Sequence, residues 1–243
     1  MKHMLSISQV MTNNNLHPRI IELTEETAEQ YGALCGFEGV AARKRSWYFQ
    51  GITNRIEWYR KHYHEGLRIA VCVNEQDEKS GLIEYVPGEY CWRTLDAKGY
   101  IVIHCLYVFS GKTRKGYGKL LLSHVIGKSK GYHGLAIVTS SKPWVNDKRF
   151  FLKQGFKKVE NAPPYFELLA MRFRDVPLPS FRKGWEDRAL QYGKGITVFY
   201  SDQCPIADFA ISNITSAAKE LDMDLRIIPI DNYSAAQNAP SPC

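Results

Sequence analysis

No run in this 243-residue chain approaches the roughly 20 consecutive apolar residues that a bilayer-spanning helix needs, which excludes a transmembrane protein. The N-terminal stretch MKHMLSISQVMTNNN lacks both a continuous apolar core and a small-residue cleavage site, which argues against a secretory signal. Six cysteines include no CxxC pair and no zinc spacing, so no metal site is expected. Internal repeats are absent. What is present is globular: 44% apolar residues with 18 Gly and 11 Pro exclude a disordered, collagenous or coiled-coil chain. The net charge of +7 is unevenly placed, with 30 basic and 19 acidic residues in 1–194 but two basic and six acidic in 195–243. Opposite signs suggest two modules, the larger suited to an anionic ligand.

Residues 1–18 are polar and aperiodic and are expected to form a mobile leader. RIIEL (19–23) reads as a strand, and Thr24 with Thr27 opens a helical stretch ending near Gly36. The clearest helix spans about 44–64, where Phe49, Ile52, Ile56, Tyr59 and Tyr63 recur at three- and four-residue spacing as one apolar stripe. A hairpin follows, 67–73 and 82–86 about the acidic turn NEQDEKSG, and Pro87-Gly88 ends it. GYIVIHCLYVF is apolar on both faces, as a central strand is. The loop SGKTRKGYGK, a helix carrying Leu121, Leu122, Val125 and Ile126, the strand LAIVTS, a short helix at 146–154 and a strand at 166–173 complete the larger module, 19–174. Residues 175–194 read as a linker. The unit 195–243 is a β-α-β: ITVFY, a helix with Ile206, Ala210, Ile214, Ala217 and Leu221 on one face, and LRIIPI. Its 49 residues are too few for a core of their own, so it docks on the larger module, finds a partner, or is part of a longer domain.

The sharpest chemical signal is strand–loop–helix at 101–127. Gly116 and Gly118 let backbone approach an anion, and the helix behind them presents free N–H groups and the positive end of its dipole. Between Gly111 and Gly131 there are six Lys/Arg and no Asp or Glu. The loop is neither GxxxxGK[ST] nor GxGxxG, because the third glycine position falls on Leu121. An ordinary strand–helix turn with solvated lysines is the competing reading.

Leu106, Val108, Gly116 and Gly118 at this spacing resemble the coenzyme A-binding motif of the GNAT N-acetyltransferase superfamily, and Asn146 with RFFLKQGF resembles its second motif. The segments IEYVPGEYCWR, FLKQGF, APPYFELL and YSDQCP resemble more particularly the YoaP-like acetyltransferases, whose C-terminal part is thioredoxin-like. The resemblance implies a GNAT α/β (α+β) fold, a mixed sheet flanked by helices, over about 19–173. It implies acetyl-CoA as co-substrate, no metal, and a cytoplasmic enzyme. Main-chain contacts to the pantetheine arm would come from Leu106 and Val108. Pyrophosphate contacts would come from the N–H groups of Arg114, Lys115, Gly116, Tyr117, Gly118 and Lys119, with Lys112 or Arg114 doing what the Gln or Arg common at the Thr113 position does elsewhere. Asn146 and Phe151 fall on cofactor-side positions of the second motif. Phe151 stands where many members carry the Tyr that protonates the departing thiolate, so Tyr165 or Tyr107 is needed as donor, or the step runs unaided.

An attacking amine must be neutral, which calls for a general base. Glu84, between Ile83 and Tyr85, is the first candidate and Glu167 the second, each against the alternative of a solvent-facing carboxylate. His104 reads as a structural histidine in a buried strand, while Trp92, Arg93 and Trp144 are candidates for lining an acceptor pocket. Cys72 and Cys105 read as buried thiols. Cys204 before Pro205 reads as a thiol at a helix N-cap; Ala207 replaces the second cysteine of a glutaredoxin-type start. The implied activity is direct acetyl transfer from acetyl-CoA to a small-molecule or peptide amine in a ternary complex. The alternative is a non-catalytic acyl-CoA sensor. Nucleic-acid binding rests on charge alone, no membrane partner is expected, and oligomerisation is left open.

Overall fold

The computed structural model describes residues 17–31, 46–142 and 145–242. Residues 1–16 of the expected leader (1–18), the end of the first expected helix near Gly36, and Trp144 lie outside the described residues. In chain order the larger module runs β1 (Arg19–Glu22), α1 (Ala28–Tyr31), α2 (Ser46–His62), β2 (Arg68–Val73), β3 (Lys79–Pro87), β4 (Leu95–Asp96), β5 (Tyr100–Val108), α3 (Tyr117–Lys128), β6 (Gly134–Ser140), α4 (Lys148–Lys153), β7 (Lys157–Ala162) and β8 (Phe166–Arg172). Seven strands form one sheet in the order β1-β2-β3-β5-β6-β8-β7, antiparallel throughout except between β5 and β6.

Strand alternation assigns the two faces. Leu82 and Val102 join Ile56, Trp58 and Tyr59 in the cluster under α2, whereas Ile83 and Ile103 join Leu121, Val125 and Phe151 in the cluster under α3 and α4. Both faces of β3 and β5 are therefore covered, as their unbroken apolar sequences require. The α2 stripe differs from its expected position. Ile56 and Tyr59 are buried as the spacing implies, but Phe49 is 60% exposed, and Arg55, Trp58 and His62 are buried beside the stripe. The buried face is wider than an apolar count reveals, because charged and polar side chains there find partners. The strand β7, KKVENA, is not expected from its composition. It is held by the antiparallel ladder to β8 at the sheet edge, where lysines suit an exposed position.

The stretch 175–194 carries structure of its own. β9 (Ser180–Phe181) pairs with β4, α5 (Trp185–Leu190) follows, and Phe181 and Trp185 are buried in the α2-side core. Beyond it, β10 (Ile196–Tyr200) and β11 (Leu225–Pro229) pair in parallel around α6 (Ala207–Glu220), and α7 (Tyr233–Gln237) ends the described elements. The inward residues of α6 are Ala207, Ile211, Ile214 and Ala218, while Ala210, Ala217 and Leu221 face outward. Both stripes keep helical spacing and share Ile214, so tertiary contact selects between them. Cys204 is exposed and is not the N-cap, which falls on Ile206. Cys105 is only half-buried, unlike Cys72.

This unit docks on the larger module. Gln237 Nε2 donates to the carbonyls of Glu89 (3.0 Å) and Cys91 (3.3 Å), and Ala236 enters the main core. Lys61 Nζ donates to Asp231 O at 3.3 Å, and Asn54 Nδ2 to Asp208 Oδ2 at 3.4 Å. Gly51 of α2 meets the Pro205 carbonyl so closely that a Cβ there would overlap its oxygen.

Candidate active site

The two central parallel strands separate halfway along. The β5–β6 ladder runs from Tyr100↔Gly134 to Ile103↔Ile137 and stops. At the same point the β3–β5 register shifts: Glu84 faces Cys105 and Tyr85 faces Ile103, which leaves His104 as the extra residue of a β-bulge. Burial changes with it, from buried at 100–104 to half-buried at 105–108. Phe109 N–H bonds back to Ser80 O (3.0 Å), so by alternation the main-chain groups of Leu106 and Val108 turn to the other edge, into the gap. The Asn146 side chain spans it, accepting from Leu106 N–H at 3.0 Å and donating to His104 O at 3.4 Å. An amide thus satisfies strand backbone that has no strand beside it.

The glycine loop closes the far end of the gap. Gly111, Arg114 and Gly116 all have positive φ (76°, 63° and 87°), left-handed backbone of the kind that anion-binding loops use. Gly116 is the N-cap of α3 and no side chain caps the helix, whose first-turn N–H groups have no intrahelical partner. Arg114, Lys115 and Lys119 are exposed around it. Lys112 is ion-paired with Glu78 of the β2–β3 turn, which draws it from the loop. The Tyr117 ring turns inward, its hydroxyl 3.4 Å from Glu75, so its N–H is what it offers the loop. A Cβ at Gly118 would stand 3.4 Å from the Phe150 ring and 3.6 Å from Val108 Cγ2, ordinary contact distances.

Phe151 lies in the core. It is 1% exposed, wedged between Phe150 and Phe156 at ring separations of 5.1 and 5.3 Å, and presents no surface to a cofactor. Its neighbour Phe150 is the ring that faces the loop.

A cavity of about 480 Å³ opens at the end of β6, lined among others by Ser141, Lys148, Pro164, Tyr165 and Glu167. Glu167 is mostly buried and ion-paired with Lys148 at 2.7 Å and Lys158 at 3.7 Å. Tyr165, 41% exposed, packs on Phe166 at the cavity wall with Lys142 near its ring. A carboxylate, an ammonium group and a phenol therefore line one cavity.

Glu84 lies elsewhere, 1% exposed at the bulge. Arg55 pairs with its Oε2, and its Oε1 accepts from Gln203 Nε2 at 2.7 Å and meets His104 Nδ1 at 2.9 Å. His104 Nε2 accepts the Trp92 N–H at 3.0 Å, which assigns the proton to Nδ1 and makes the imidazole a donor to Glu84. Arg93 donates to Gln203 Oε1 (2.8 Å) and to His104 O (3.5 Å). Burial raises the Glu84 carboxyl, but the Arg55 charge and the His104 bond outweigh it and hold it down to about 2. Burial takes His104 down to about 4 against the pull of Glu84. A carboxylate so acidic and so enclosed is a poor proton acceptor. Its place is at the centre of a buried polar network. Trp92 and Arg93 belong to the same network, and with Gln203 they line a second, smaller cavity of about 140 Å³.

The network sets a pH dependence. Both groups have folded pKa values below their ordinary ones, so the unfolded chain takes up protons first as pH falls. Stability present above pH 6.5 is expected to decline toward pH 4 through His104, and from pH 4.5 toward 2 through Glu84. Urea unfolding across this range should show His104→Gln flattening the upper window. An unchanged slope in that variant contradicts the assignment.

The sequence does not announce Arg55, Gln203 or Lys148 as site residues. Arg55 does leave a signal: it occupies a buried-face position between Ile52 and Ile56. Gln203 leaves none, since YSDQCP draws attention to its cysteine.

A strand pair parted at a bulge, with a basic glycine loop at its mouth, suits an extended anionic ligand whose arm lies along free strand backbone. The profile of the acetyltransferase (GNAT) family matches residues 22–156, more than half of the chain, and the chain belongs to that family. It is 26% identical over 226 residues to the uncharacterized N-acetyltransferase YoaP of Bacillus subtilis (strain 168), covering 91% of this chain and 86% of that protein. Among solved structures it is similar to an acetyltransferase from Thermus thermophilus (TM-score 0.47, 16% identity, 65% of this chain and 99% of that one). It is also similar to YncA from Salmonella typhimurium, solved with its cofactor acetyl-CoA (TM-score 0.46, 17% identity, 68% of this chain and 98% of that one). No helix among the described residues is long and apolar enough to cross a membrane.

Proposed function

We propose that this acetyltransferase moves the acetyl group of acetyl-CoA directly to an amine bound in the cavity at the end of β6. What supports this best is the uncapped glycine loop following the splayed backbone of Leu106 and Val108, together with a cavity holding Glu167 and Tyr165 at the end of β6, the strand from which β5 parts. Pyrophosphate would lie on the loop N–H groups with Arg114, Lys115 and Lys119 around it, and pantetheine in the splay. Asn146 would hand over its bond to Leu106 N–H, or share it, as the arm enters.

In the chemical step the amine nitrogen bonds to the thioester carbon and the C–S bond breaks, releasing thiolate. The amine proton goes to Glu167, directly or through a water, with Lys148 holding the carboxylate in place. Tyr165 is the donor to the departing thiolate, the role that a buried phenyl ring at Phe151 cannot fill. Glu167→Gln is expected to lower kcat about 10²-fold while acetyl-CoA affinity stays within a few-fold. Thiol release against a panel of primary amines measures it. Wild-type release that never exceeds the protein concentration would favour an acyl-CoA sensor, the reading that the missing hydroxyl at Phe151 supports.

A further inference from the structure

The bulge at His104 opens the cleft, and one of the side chains fixing it comes from outside the acetyltransferase module. Gln203 lies in the loop between β10 and α6, 119 residues from Glu84. Its amide group is used at both ends: Nε2 donates to Glu84 Oε1 at 2.7 Å, and Oε1 accepts from Arg93 at 2.8 Å. Glu84 in turn holds the His104 ring, and Arg93 reaches the His104 carbonyl, the same carbonyl that Asn146 meets from the splay. Two short paths therefore run from Gln203 to the residue where β5 leaves β6. The loop can reach this depth because Gly51 on α2 has no side chain to hold off the Pro205 carbonyl.

We propose that Gln203 is a positioning residue of the acyl-CoA cleft, through which the C-terminal β-α-β unit sets the geometry of the bulge. The unit is then a working part of the transferase site. This rests on the reading of the splay as the cofactor cleft. Gln203 touches neither acetyl-CoA nor amine. It completes the polar shell of Glu84, so that the carboxylate holds His104 in one position and Leu106 and Val108 present their main-chain groups in a fixed frame.

Two full-length variants test this, Gln203→Ala and Gly51→Val, the second displacing the loop without altering a network residue. Hydrogen exchange of the 104–108 amides, acetyl-CoA calorimetry and thermal unfolding are read in parallel. Losing a charge-assisted bond to Glu84 should accelerate exchange at 104–108 and weaken acetyl-CoA binding roughly tenfold in both variants, with folding retained. Gln203→Glu keeps an acceptor for Arg93 but opposes Glu84, and should not restore affinity. The proposal is overturned if exchange rises only within 195–242 while the 104–108 amides and the affinity match wild type. Wild-type protein that fails to bind acetyl-CoA overturns the cofactor reading instead, and the exchange of 104–108 still decides whether Gln203 holds the bulge.

Discussion

Gly118→Glu should fold normally and bind acetyl-CoA about 10²-fold more weakly or worse, as measured by calorimetry. The position separates binding from stability. Its φ is not in the left-handed region, and a Cβ there would meet only the Phe150 ring and Val108 at ordinary contact distances, so the fold tolerates a side chain. The ligand would not. Gly118 stands in the first turn of α3, where uncapped N–H groups and three exposed cations attract an anion. A carboxylate there occupies the approach and repels the charge the loop is built to hold. Gly118→Ala adds bulk without charge and should weaken binding less. At Gly116, by contrast, φ is 87° and any side chain strains the backbone, so a variant there confuses the two effects. Unchanged affinity in Gly118→Glu would mean that the pyrophosphate lies elsewhere.

The loop is legible in the sequence because everything it needs is local: strand, glycines, lysines and helix follow one another within 101–127. The existence and order of α2, the β2–β3 hairpin and the β10–α6–β11 unit are local in the same way, whereas which faces of α2 and α6 turn inward is set by tertiary contact. The buried network is illegible for the opposite reason. Glu84 finds its partners 29, 20 and 119 residues away, and a carboxylate in an apolar strand looks the same in sequence whether it meets solvent, substrate or an arginine. A partial signal exists. Glu84 and His104 each interrupt an apolar strand, but the register that pairs 83 with 106 sets Glu84 opposite Cys105, and only the bulge, which is not written in the sequence, brings His104 beside it. Phe151 misleads differently. Its place in the motif is plain from the sequence, but the packing of Phe150 and Phe156 decides which aromatic faces the loop. Glu167 and Tyr165 can be named from sequence, whereas Lys148, which pairs with Glu167 across α4 and β8, cannot.

Arg55→Met should destabilise the fold by about 3–5 kcal/mol, the largest stability effect expected of a single substitution here. Arg55 is 2% exposed, pairs with Glu84 and lies 5.1 Å from the centre of the Trp58 ring. Methionine preserves much of its apolar stem, so what is removed is the charge. Glu84 keeps the His104 and Gln203 donors, both neutral, and these cannot compensate a carboxylate taken out of water. Burial then dominates and its pKa rises above the unfolded value of about 4.5, where Arg55 had held it near 2. The sign of the linkage reverses. In wild type the Glu84 contribution is present above pH 4.5 and is lost as pH falls toward 2. In Arg55→Met it is present below pH 4.5 and lost as pH rises through the new pKa, so the deficit should narrow on acidification. Urea unfolding at pH 7 and pH 5 gives the comparison. The double variant Arg55→Met/Glu84→Gln should recover a substantial part of the loss at pH 7, because a neutral amide no longer needs the missing cation. A single-variant loss under about 1 kcal/mol, or a deficit that does not depend on pH, would mean that the pair is solvated and that the bulge at His104 is held by its contacts with Trp92, Arg93 and Asn146 alone.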